Sequence, residues 1–67
     1  MEKTKKIEEI EEFDKVLLKT GEIAYVVEIY GGGEAFEADI DKPNGKIETD
    51  MIWPKDIDKV FKKSKIN

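Results

Sequence analysis

Ile-Ala-Tyr-Val-Val-Glu-Ile-Tyr, Gly31-Gly32-Gly33, Glu-Ala-Phe-Glu-Ala-Asp-Ile: read from Ile23 to Ile40, this stretch decides the fold. Two strand-like runs flank a turn of a kind that glycine makes easy. The run from Glu34 to Asp41 alternates cleanly, with Phe36, Ala38 and Ile40 facing one way and Glu37, Asp39 and Asp41 the other. The run from Ile23 to Tyr30 does not. Ile23, Tyr25, Val27 and Ile29 share one face, while Ala24, Val26 and Tyr30 share the other. Apolar residues on both faces predict a strongly bent strand serving two parts of one sheet, with small Ala24 as the place for the bend.

Upstream, Phe13 to Leu18 reads as a first strand, broken by Lys19-Thr20-Gly21-Glu22. Residues 1–12 form an N-terminal extension. Ile7, Ile10 and Phe13 recur at helical spacing and Thr4 can cap, so a short helix facing the core is expected, with a flexible extension as the alternative. Downstream, Lys42-Pro43-Asn44-Gly45 is a turn with proline at its second position and glycine at its fourth, where the next strand can begin with a bulge. Lys46 to Trp53 then places Ile47, Thr49, Met51 and Trp53 on one face and Lys46, Glu48, Asp50 and Ile52 on the other. Pro54 stops that strand, Trp53 to Ile57 reads as one helical turn, and Asp58 to Phe61 supplies a short last strand. The predicted fold is mainly β, a small SH3-like barrel of four to five antiparallel strands over residues 13–61, followed by a basic tail at 62–67.

Composition narrows the chemistry. The chain has 67 residues, one domain's worth, and no cysteine, so disulfides, thiolate metal sites and thiol catalysis are absent. A domain this small buries only about 60% of its unfolded surface. No apolar leader follows Met1-Glu2-Lys3-Thr4-Lys5-Lys6, and no run approaches the roughly 20 apolar residues of a membrane span. A cytoplasmic protein with no membrane association is expected. Sixteen acidic residues outnumber 12 basic ones, all of them lysine, for a net charge of −4. Without arginine's planar fork, and with a negative total, nucleic acid is a disfavoured partner. The charge is uneven: residues 20–50 hold two lysines against eight acids, residues 51–67 five lysines against two.

No motif reaches the standard of a catalytic, cofactor or metal site. Gly31-Gly32-Gly33 lacks the lysine-serine/threonine ending of a phosphate loop and runs into Glu34, which repels phosphate. Asp39-Ile40-Asp41 resembles the start of a calcium loop, but its fifth and sixth positions are Pro43 and Asn44 instead of an oxygen ligand and glycine. The many carboxylates stand on exposed alternating positions, which suits solubility and edge protection better than glycosidase-like acid–base work. Histidine is absent and Ser64 lies in the tail, so nucleophilic catalysis has no support and the chain is expected not to be an enzyme. Among the aromatics, Phe36 is assigned to the core, and Trp53 with one tyrosine to the surface. Lys55, Lys59, Lys62, Lys63 and Lys65 make a basic end that can touch phosphate only non-specifically.

The segments Phe13–Leu18, Gly21–Tyr30 and Gly32–Asp39, with Pro54-Lys55-Asp56-Ile57, resemble a family of short bacterial proteins catalogued as a domain of unknown function. The likeness spans roughly residues 13–60, and the hairpin is its most specific part. It departs at Ala24, where the family usually has glycine, and at Tyr25, where threonine is common. The resemblance implies an SH3-like barrel and carries over no catalytic residue. Gly21-x-x-Ala24-x-Val26 is also similar, over a short span, to the KOW motif of ribosome- and transcription-associated proteins, which leaves a nucleic-acid or ribosome-associated binder as the alternative function. The leading expectation is a small protein-interaction module, monomeric or weakly self-associating, that binds another protein. Its candidate contact residues are Tyr30, Glu37, Asp39 and Trp53.

Overall fold

A computed structural model describes residues 4–61, with side chains from residue 6 onward; the basic tail at 62–67 lies outside the described residues, as do residues 1–3. The strands are β1 (Thr4–Lys5), β2 (Lys15–Leu18), β3 (Ile23–Tyr30), β4 (Ala35–Asp41), β5 (Ile47–Ile52) and β6 (Ile57–Phe61). They form a single antiparallel sheet in the order β1-β6-β2-β3-β4-β5. The sheet is not closed: two-residue β1 is one edge and β5 the other. The fold is therefore mainly β, and among the described residues the only helical turns are of the 3-10 type, at Ile7–Glu9 and Pro54–Asp56.

No helical layer covers the sheet among the described residues, and its inner face carries one shared core. Val16, Ala24, Val26, Phe36, Ala38, Ile40, Ile52, Ile57 and Val60 are buried there together with Ile10 and Leu18, and Ile7 and Ile29 pack against them. The registers explain why these residues meet. Ile29, Phe36 and Ile52 lie opposite one another across β3, β4 and β5, and Val16 lies between Ala24 and Val60. Phe36 is the largest side chain to be fully enclosed.

Three expectations are corrected. The N-terminal segment is not an α-helix: Thr4–Lys5 pairs with β6, and a 3-10 turn follows in which Glu9 Oε1 accepts the Lys6 N–H at 2.9 Å. Ile10 is buried, but Phe13 is 71% exposed and adopts φ +70°, the only described residue other than glycine with a positive φ. The helical spacing fails there because the chain turns sharply between Glu11 and Asp14. Asp14 is buried, its Oδ2 accepts the Glu11 N–H at 2.8 Å, and its own N–H donates to Glu11 O at 3.1 Å. The strand consequently begins at Lys15 rather than Phe13.

The second correction concerns β3. Ala24 keeps regular register between Val16 and Ile40; the irregularity comes at Val27, where the register steps from Val26↔Ala38 to Glu28↔Glu37. This bulge leaves Val27 as the extra residue. Ala24, Val26 and Ile29 therefore face inward, and both tyrosines face outward, which is the third correction, since the alternating pattern placed them on opposite faces.

The turns follow their residues. Gly45 donates to Lys42 O at 3.0 Å and Lys42 donates to Lys46 O at 2.8 Å, closing a three-residue loop with Gly45 at φ +81°. At that end of the sheet Lys42 Nζ reaches Glu22 Oε2 at 3.1 Å, and Thr20 Oγ1 donates to Glu22 Oε1. The lysine bond, ahead of the threonine bond, holds the Glu22 carboxyl below the usual range.

Candidate functional site

Outward-facing side chains of β3, β4 and β5 form rows, because residues opposite each other in register share a face. One row runs Lys15, Tyr25, Asp39, Thr49; the next runs Glu28, Glu37, Met51. Tyr30 opposite Ala35 starts a third. Trp53 is one residue beyond the Phe36↔Ile52 pair and still extended (φ −119°, ψ 160°), so it continues the outward alternation on the far side of Ala35. The other edge of the face carries Asp41 opposite Ile47.

The result is an apolar surface with acid among it. Trp53 is 46% exposed, Tyr30 43%, Tyr25 41% and Ile47 65%. All four sequence-assigned contact residues, Tyr30, Glu37, Asp39 and Trp53, fall on this one face. Trp53 is exposed as expected, but both tyrosines join it rather than one. Tyr25, Glu28, Ile47 and Met51 belong to the same face and were not singled out by the sequence.

Electrostatics is unbalanced on this surface. Glu28 and Glu37 lie directly opposite each other, a like-charge pairing that costs about 0.2–1 kcal/mol. Tyr30 Oη donates to Glu37 Oε1 at 3.2 Å, and Thr49 Oγ1 donates to Asp39 Oδ1 at 2.6 Å. Both bonds fix a carboxylate without neutralising it. Partial burial of the Tyr30 ring, and then the bond to Glu37, raise the phenol above its ordinary range. Replacing Glu37 with glutamine should therefore lower the Tyr30 ionisation midpoint, read by absorbance at 295 nm. An unchanged midpoint would show that the Tyr30–Glu37 bond is not formed in solution.

Such a face can hold a cationic, partly apolar ligand: rings and a thioether supply contact area, and fixed carboxylates supply charge. Among the described residues, no group of three or more acidic side chains is placed to hold a metal ion. Compared with protein-family models, with curated proteins and with solved structures, the chain matches none.

Proposed function

We propose that this chain is a non-enzymatic protein-interaction module on a small SH3-like barrel, and that the outward face of β3, β4 and β5 is where a basic protein partner binds. The barrel reading is supported by β2 pairing with both β3 and β6, by the β2–β5 meander, and by the 3-10 turn just before the last strand. The hairpin's resemblance to short bacterial proteins of that fold points to the same barrel, and a cytoplasmic inhibitor, immunity or accessory role is proposed by analogy with small acidic single-domain bacterial proteins.

The observation that carries the functional reading is the clustering of Tyr25, Tyr30, Met51 and Trp53, all exposed, around Glu28, Glu37 and Asp39 on one side of the sheet. Contiguous exposed apolar surface on a small soluble domain marks a contact site, and aromatic side chains dominate binding energy at such sites. The opposed Glu28–Glu37 pair is destabilising alone and is relieved by a bound cation.

The test is affinity capture of proteins on the immobilised chain, with RNA and DNA titrations at low and moderate salt alongside. Trp53→Ala should weaken capture at least about fivefold, the effect of losing an interface anchor worth more than ~1 kcal/mol. Glu28→Gln should weaken capture while stabilising the free domain by about 0.2–1 kcal/mol in thermal melts. Capture indifferent to both substitutions would refute this reading. So would salt-sensitive RNA binding abolished by neutralising Lys59 and Lys62, which would favour the nucleic-acid alternative.

A further inference from the structure

Resting on the reading above, we infer that the partner docks as an added strand along the free edge of β5, and that its docking segment is extended and alternates apolar residues with lysine or arginine. Among the described residues β5 is the outermost strand of the open sheet and pairs only with β4. The phase of its backbone follows from the turn. Lys42 N–H donates to Lys46 O, so in the alternating ladder Glu48, Asp50 and Ile52 bond toward β4, while Ile47, Thr49 and Met51 direct their N–H and C=O groups to the free edge. Two side-chain bonds agree with that phase. The Met51 N–H is taken by Asp50 Oδ1 at 2.8 Å, and the Trp53 N–H by Asp56 Oδ2 at 3.0 Å.

Natural sheets shorten, charge or cover their edges. Here the edge strand is six residues long; its outward row carries exposed Ile47 and Met51 on either side of Thr49, with exposed Trp53 just beyond its end. Its other row is exposed too. Glu48 and Asp50 lie opposite Ile40 and Ala38, which are buried, yet both acids are exposed, and no strand among the described residues lies beyond them. A strand added to this edge would set one of its side-chain rows beside Ile47, Thr49 and Met51, and the other beside Glu48 and Asp50. Apolar residues suit the first row and cations the second. A second copy of this chain does not suit it: antiparallel pairing of two β5 edges about Thr49 sets Glu48 of each copy against Asp50 of the other.

The probe is a capped hexapeptide alternating lysine with isoleucine, titrated into the 15N-labelled protein. Binding should slow hydrogen exchange at the Ile47 and Thr49 amides by roughly tenfold or more at saturation. A peptide with glutamate in place of lysine should not bind. Thr49→Pro removes an edge N–H and the side-chain bond to Asp39 but no backbone bond to β4, and should weaken the peptide about tenfold. Glu48→Lys, a surface change that leaves every backbone bond in place, should also weaken it, which guards against Thr49→Pro acting by unfolding. The inference is overturned by no binding, or by equal binding of the glutamate peptide. Self-association of the protein alone through β5, read by sedimentation and lost in Thr49→Pro, also overturns it. Peptide shifts at Tyr25, Tyr30 and Trp53 with unchanged exchange at β5 would overturn strand addition while leaving the contact face intact. Only the capture experiment above, failing as well, would remove both.

Discussion

Phe36→Ala should leave the protein largely unfolded at room temperature. Phe36 is 1% exposed and sits between Ile29 and Ile52 on the inner face, with Ala38 beside it on β4. Truncating a buried phenylalanine costs about 3–5 kcal/mol, part transfer and part cavity. A core in a chain this short seldom supplies more than ~3–5 kcal/mol in total. The two figures are the same size, so one substitution removes most of the folding free energy. Phe36→Leu keeps most of the volume and should cost less than about 1.5 kcal/mol. Urea titration followed by circular dichroism separates the two. A cooperative transition in Phe36→Ala, with its midpoint near that of the unaltered chain, would mean that the core is organised around some other side chain.

Gly33→Ala should destabilise the β3–β4 hairpin by about 1–3 kcal/mol. The loop is closed by Tyr30 O, which accepts from the Gly33 N–H at 3.1 Å and the Glu34 N–H at 3.0 Å. Its glycines are not equivalent. Gly32 has φ +68°, close to the left-handed basin that asparagine tolerates, whereas Gly33 has φ +118°, well outside it. A Cβ at Gly33 meets no atom within 4 Å, so the loss comes from the backbone alone and not from a clash. Gly32→Asn should accordingly cost much less than Gly33→Ala. Equal melting temperatures for the two variants would contradict the loop geometry.

Much of the sheet was legible because β4 alternates without interruption. Phe36, Ala38 and Ile40 announce the buried face, and both flanking turns carry residues that suit their backbone. Trp53 was legible as a surface residue because Pro54 ends the strand beside it. The N-terminal segment was not, since a helical spacing of Ile7, Ile10 and Phe13 is equally met by a 3-10 turn followed by a reversal, and only the buried Asp14 settles which. The outward position of Ile47 and Met51 was equally hidden. Periodicity shows that they share a face, but which face is inward depends on the pairing of Ile52 with Phe36, a contact between residues sixteen apart. The contact surface suffered most from this. Its members come from three strands, and their meeting depends on register.

The bulge at Val27 governs that surface in the way a reading frame governs a message. Tyr25 and Tyr30 are an odd number of residues apart, so a regular strand would print one on each side of the sheet. One surplus residue shifts the phase, and everything from Glu28 to the hairpin tip is read out on the opposite side. Deleting Val27 would leave Tyr25 and Tyr30 an even number of residues apart, so a regular strand would keep Glu28 and Tyr30 outward and Ile29 inward; pairing Val27 into a regular ladder would instead send Glu28 and Tyr30 inward and Ile29 out. The face is thus encoded partly by a count: the same side chains share it only while the surplus residue stays outside the ladder.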